Sequence, residues 1–316
     1  MRELLEKLVG IPSVAGSEGQ MREFIKNELS GIFDEINTDE LGNLICHKAG
    51  SGTKRVFMTH MDCEGFISTY SDGDTVKVAP LGNIKAQFAA YRRIIFETGE
   101  NALLIPPASY SSDTRISDFN AFLGAAPEKE IQQGTKAYFD DSLLSLSGDF
   151  VSAGTLSSRL GIACLIKAAK NAHFSDDDIY FVFTVQERLG GRGASAALYP
   201  IKAQELYNVR GAGLGKTTDK NKVGVGSGMA LNIMGKGFSS DRELVEKIDT
   251  VCSRQKIDFA RFSDADFLSD ATTASKSNLG CKVAEICISV DNIGSWAEVV
   301  KLSDVQSVAN ALTALI

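Results

Sequence analysis

The chain has 316 residues, 44% of them hydrophobic and 23% charged, which is enough for one large core or a core with an inserted module. Its net charge of -7 excludes a general affinity for nucleic acid or anionic membrane, since both need basic surface to displace counterions. Six cysteines without short paired spacings read as buried reduced thiols, no apolar stretch reaches membrane-spanning length, and the start at Met1-Arg2-Glu3 has no leader pattern, so a cytoplasmic protein is expected.

Leu4, Leu5, Leu8 and Val9 recur at helical spacing and stop before Pro12. Met21 to Leu29 repeats the pattern, so two amphipathic helices open the fold. Two short β-prone runs follow, Leu41 to His47 and Arg55 to His60, the second ending in polar residues. From Phe66 to about Phe150 the texture changes to short alternating stretches at 75–78, 93–96, 102–106 and 136–139, punctuated by glycine and proline. This reads as a small β-rich module. Leu160 to Ala172 is then a helix, Asp178 to Val185 a buried strand and Gly193 to Leu198 a short helix. Met229 to Ile233 and Val283 to Val290 read as strands, Asp241 to Gln255 and Ser303 to Leu315 as helices. The fold class is α/β, a central mixed β-sheet flanked by helices, with a small β-rich domain inserted.

Two polar clusters stand at strand ends. His60 and Asp62 follow an apolar strand, where imidazole can bind a metal and a carboxylate two residues on can orient it; a structural or surface histidine is the other reading. Glu187 ends the strongest strand and precedes Gly190, Gly191 and Gly193. It reads either as a general base acting on water or as a carboxylate capping the next helix. Residues 211–217 lack the spacing of a phosphate loop and read as a flexible connection. The acidic run Asp176-Asp177-Asp178 reads as a solvated turn.

In order and spacing, the segments 8–13, 39–44, 59–62, 181–187, 192–194 and 226–230 resemble the glutamyl aminopeptidase and tetrahedral aminopeptidase family, dinuclear metallopeptidases that include proteins once described as M-type cellulases. The resemblance runs nearly end to end. It implies a zinc-exopeptidase-like α/β domain formed by 1–65 and 152–316. It further implies an insert at 66–151 that shapes the oligomer and the substrate chamber, and hence a homo-oligomer.

By the same resemblance His60 matches a metal-binding histidine, Asp62 its orienting aspartate and Glu187 the catalytic glutamate, while Asp270 falls in a segment lining the substrate pocket. Four positions depart. Ser157 replaces the bridging aspartate, Arg188 a metal-binding glutamate and Arg210 a further acidic ligand, and Gly294 stands where the second histidine is expected. Two close divalent ions need several anionic oxygens, which hydroxyl and guanidinium groups do not supply. Arg188 and Arg210 are therefore expected to pair with Asp62 and Glu187 in a pocket without metal, and no cofactor is expected. Trp296 either fills the space left by the missing histidine or packs on the surface.

Three functions follow. One is a noncatalytic homologue that binds a peptide or small carboxylate ligand through its arginines. Another is an active aminopeptidase with a rearranged mononuclear site, holding zinc or cobalt through His60, Asp62, Glu187 and Cys63 or Glu64. The third is a structural subunit, assembled with itself or with an active paralogue.

Overall fold

The computed structural model describes residues 1–215, 223–277 and 280–316. In chain order the first part contains α1 (Arg2–Val9), α2 (Gly19–Glu28), β1 (Glu35–Thr38), β2 (Leu44–Lys48), β3 (Lys54–His60), β4 (Gly65–Asp72), β5 (Thr75–Leu81), α3 (Ala86–Ala89), β6 (Arg93–Phe96), β7 (Asn101–Ile105), β8 (Asn120–Phe122) and β9 (Lys136–Phe139). There follow β10 (Leu144–Ser145), β11 (Phe150–Ala153), α4 (Ser157–Asn171), β12 (Asp178–Thr184), α5 (Arg192–Ile201), β13 (Glu205–Ala212), β14 (Met229–Gly235) and β15 (Phe238–Ser239). The chain closes with α6 (Arg242–Gln255), β16 (Phe259–Asp264), α7 (Asp270–Ala274), β17 (Lys282–Ser289), β18 (Glu298–Lys301) and α8 (Leu302–Leu315).

The main sheet is mixed. Its order is β1-β2-β12-β3-β13-β17-β14-β15, with β16 also paired to β14. The central strands β12, β3, β13 and β17 run parallel, and β2 and β14 flank them antiparallel. Parallel strands are covered on both faces, and β3 shows how. Phe57 joins the larger core, with α1, α2, α4, α6 and α8, whereas Val56 and Met58 join the smaller core beneath α5 and α7. Alternate side chains of one apolar run thus feed opposite layers.

Strands β4, β5, β8, β7, β6 and β9 form a closed barrel around a separate core that includes Phe66, Val78, Phe96 and Phe119. Closure leaves no free sheet edge. Strands β10, β11 and β18 form a third sheet, so the return from the barrel is tied to the C-terminal part of the chain. Of the connection read at 211–217, Gly211 and Ala212 complete β13, and Lys216 and Thr217 lie outside the described residues. The Asp176 to Asp178 run is not simply solvated: Asp177 accepts from the Thr53 amide and pairs with Arg55, and Asp178 takes His47 and Lys54.

Helix α4 lies close against the sheet. A Cβ on Gly161 would stand 2.1 Å from Thr59 Oγ1 and 2.6 Å from the Val209 carbonyl oxygen, so only glycine permits this approach. It brings the α4 N-terminus, Ser157, beside the carboxyl ends of β3 and β13.

Candidate active site

The strand ends converge as the parallel order requires. His60 ends β3, Thr184 ends β12 in register with it, and Glu187 lies in the short turn 187–189 after β12. The fully buried Asp62 holds that turn: its two carboxylate oxygens accept the backbone N–H groups of Glu187 at 3.0 Å and Arg188 at 2.9 Å. His60 Nδ1 lies 2.9 Å from the Asp62 carbonyl oxygen and 3.6 Å from its carboxylate. Burial works to lower the His60 pKa, but the Glu187 charge and the Asp62 bond outweigh it and hold the imidazole above its ordinary value. Burial likewise opposes ionisation of Asp62, and the His60 bond and charge overcome it, keeping that carboxyl below the usual range.

Arg188 enters this cluster. Its Nη1 lies 3.5 Å from Glu187, its Nε 3.3 Å from Glu64, and its Nη2 donates to Ser158 at 2.9 Å. Despite burial, the surrounding carboxylates Glu64, Glu187, Asp62 and Glu298 raise its pKa, so the guanidinium is permanently charged. Pairing of Arg188 with Glu187 agrees with expectation. Arg210 does otherwise: its Nη2 lies 3.0 Å from Glu285 and 3.4 Å from Asp264, and its guanidinium stacks on Phe267 at 4.0 Å. The expected pairing of Arg210 with Asp62 or Glu187 is replaced by these partners because Glu285 comes from β17, next to β13 on the side away from β3, and Asp264 from β16, farther out on the same side.

Ser157 and Gly294 are joined by Glu298, a residue to which sequence reasoning gave no role. Glu298 accepts from the Ser157 amide at 2.6 Å, the Ser157 hydroxyl at 3.0 Å and the Gly294 amide at 2.7 Å. The helix N-terminus there favours an anion, but complete burial pushes the Glu298 carboxyl up to about 8. The visible signal was an acidic residue directly before the apolar pair Val299 and Val300. Gly294 has φ +77° and open space around its α-carbon. Trp296 is 62% exposed and packs on the surface.

Asp270 does join His60 and Glu187. Its Oδ2 accepts from the Thr184 hydroxyl, and burial together with the Glu187 charge pushes its carboxyl up to about 7. Its other oxygen is buried and has no hydrogen-bond partner among the described residues. Gly191, at φ +71°, brings its backbone against this oxygen, since a Cβ there would lie 3.2 Å from it. The remaining candidates Cys63 and Glu64 separate: Glu64 meets Arg188, whereas the Cys63 thiol faces Arg159 Nη2 at 3.6 Å and Ser13. Among the described residues no group of three or more His, Cys, Asp and Glu side chains is spaced to hold a metal ion.

A mixed sheet between helical layers, a barrel inserted after the strand that bears His60, and a His–Asp–Glu set at the strand ends define an aminopeptidase-type protein. The chain belongs to the M42 glutamyl aminopeptidase family, whose model matches residues 42–310. It is 29% identical to a protein of Acetivibrio thermocellus described as a candidate aminopeptidase, covering 99% of this chain and 97% of that one. It is 26% identical to the lysyl aminopeptidase of Pyrococcus furiosus, over 99% and 96% of the two chains. Among solved structures, an aminopeptidase from the archaeon Desulfurococcus kamchatkensis superimposes with a TM-score of 0.92 at 22% identity, over 99% of this chain and 93% of its own. The TET1 peptidase of Pyrococcus horikoshii, described as assembling into a tetrahedron or a large octahedral shell, gives 0.87 at 24% identity, over 99% and 98%. Among the described residues no helix is long and apolar enough to cross a membrane.

Proposed function

We propose that this chain is an aminopeptidase homologue whose dinuclear metal centre has given way to a metal-free charge cluster, and that it binds a peptide end without cleaving it. The observation that carries this reading is the Arg188 guanidinium between Glu187 and Glu64, at 3.5 and 3.3 Å. A fixed cation there neutralises the carboxylates that would otherwise draw a metal ion. The donor set does not fit a pair of ions: Ser157 and Gly294 offer no anionic ligand, and Glu298, which lies between them, is taken up by protein donors.

The ligand is inferred from the charge balance. Asp62, Glu64, Glu187, Asp270 and Glu298 surround one guanidinium and one imidazole. Even with Asp270 and Glu298 holding protons, the excess is negative, which favours the ammonium end of a peptide over a carboxylate. Assembly into a homo-oligomer is supported by the shells that structural relatives form. The division into 1–65 with 152–316 and an insert at 66–151 is supported by the placement of the barrel strands. Six unpaired cysteines support a reducing compartment such as the cytoplasm.

Asp270 favours a second reading. A buried carboxylate oxygen without a partner, beside Glu187 and His60, is a place where one ion would gain a ligand. Elemental analysis after dialysis against zinc or cobalt, with aminopeptidase assays alongside, separates the two. Near-zero stoichiometry and no turnover are expected. Stoichiometric metal with turnover abolished by Glu187→Gln would establish a single-metal hydrolase instead.

A further inference from the structure

Arg210, left unused by the candidate site, lies at the head of a buried polar network. Glu285, in the middle of β17, is flanked in register by Asn208 of β13 and Asn232 of β14. Four side chains satisfy its two oxygens. Asn208 at 2.9 Å and Ser269 donate to Oε1, and Asn232 at 2.7 Å and Arg210 at 3.0 Å donate to Oε2. A buried carboxylate with every lone pair engaged fixes its partners in one geometry.

Those partners lead to the connection between β16 and α7. Arg210 pairs with Asp264 at the end of β16 and stacks on Phe267. Through Glu285 it also reaches Ser269, the residue before Asp270. The connection is thus held at three points from one side, and Asp270, the first residue of α7, is held from the other by Thr184. Helix α7 has only five residues and cannot by itself fix where its first side chain points.

We propose that Arg210 is a positioning residue: through Glu285, Ser269 and Phe267 it delivers the Asp270 carboxyl to the pocket of His60 and Glu187. Where the family places an acidic ligand, this chain has placed the cation that aims a different carboxyl. The inference goes beyond the metal-free reading, because the network acts on Asp270 whether or not the pocket takes an ion.

The test uses the full-length protein and three variants, Ser269→Ala, Arg210→Met and Arg210→Lys. Two readouts are taken: amide hydrogen exchange by peptide, and the 13C carboxyl resonance of Asp270, assigned by its loss in Asp270→Asn. Ser269→Ala leaves the Arg210–Glu285 pair intact. It is expected to move the Asp270 resonance and to speed exchange in 264–274 at least tenfold, with α4 and α8 unchanged. Arg210→Met should do the same more strongly, and Arg210→Lys should restore part of it. The idea is overturned if Ser269→Ala leaves both readouts at wild-type values, or if exchange rises evenly across the core. Should Arg210→Met not fold, Ser269→Ala and Arg210→Lys still decide. Both readouts are taken on protein dialysed against chelator and neither requires turnover, so failure here and failure of the metal-free reading are separate results.

Discussion

Glu298 grips Ser157 twice, taking its amide on one carboxylate oxygen and its hydroxyl on the other. The contact closes the N-terminus of α4 where the family resemblance implies a bridging carboxylate on residue 157 itself. An acidic group is thus still present at this helix end, but it comes from β18 and is spent on protein donors.

A pH dependence follows. The Glu298 carboxyl is raised from 4.5 to about 8 in the folded protein, so between those values the native state holds a proton that the unfolded chain has released. Its contribution to stability is complete below pH 4.5, declines as pH rises, and is gone above about pH 8. Asp270, raised from 3.8 to about 7, adds a decline of the same sign that ends about one unit earlier. Urea midpoints measured from pH 5 to 9 should fall, and Glu298→Gln should reduce the slope between pH 7 and 8, where His60, also raised from its ordinary value, adds a decline of the same sign. An unchanged slope in that variant would show that Glu298 is already ionised.

Replacing Arg188 should destabilise the pocket and raise its appetite for metal. Arg188→Ala leaves Glu187, Glu64 and Asp62 without their cation, a loss of about 3–5 kcal/mol for a broken buried pair. Arg188→Glu adds a further carboxylate to this cluster. In scanning fluorimetry this variant should melt well below wild type without metal and recover on addition of zinc, while wild type shifts little. Equal zinc responses would remove the argument that the guanidinium excludes the ion.

Much of this site was legible because its polar residues end strongly apolar strands. His60 follows Val56, Phe57 and Met58, and Glu187 follows Phe181 to Val185. The partners of Arg210 were hidden for a physical reason: β16 is a short, half-buried strand and α7 a five-residue helix, and neither carries enough periodicity to announce itself. A signal did exist in Glu285, the lone acid inside the apolar run Val283 to Ile288. Buried that way, it required a cation and several donors. Glu298 was equally visible, but nothing in the sequence said that it would fold back onto Ser157.

Asp62 gives a prediction about the turn rather than the chemistry. Its carboxylate is the acceptor for two consecutive backbone amides, an arrangement that an asparagine cannot reproduce because one of its two positions is a donor. Asp62→Asn turns one contact into a donor facing a donor, at about 1–3 kcal/mol for the unsatisfied group. Hydrogen exchange of the Glu187 and Arg188 amides should rise together. Retained protection of both would mean that the turn is held by other contacts.

Gly161 tests whether the close seating of α4 sets the position of Ser157. Alanine in a helix interior is ordinarily favoured over glycine by about 1 kcal/mol, so propensity alone predicts that Gly161→Ala stabilises. The opposite is expected here, because the new methyl would meet the Val209 carbonyl oxygen at 2.6 Å and Thr59 Oγ1 at 2.1 Å. Thr59 can rotate its hydroxyl, but the backbone oxygen is fixed in β13, so α4 itself must move. Overpacking of this kind costs about 1–3 kcal/mol. Gly10 supplies the control: it caps α1 at φ -71°, and a Cβ there meets nothing nearer than 3.6 Å. Gly10→Ala should be neutral or slightly stabilising in the same denaturant titration. A shift of α4 away from β3 would also loosen the Ser157–Glu298 contact, so the slope of stability between pH 7 and 8 should shrink in Gly161→Ala and persist in Gly10→Ala. If Gly161→Ala is as stable as wild type, α4 has room to spare and its close approach does not place Ser157.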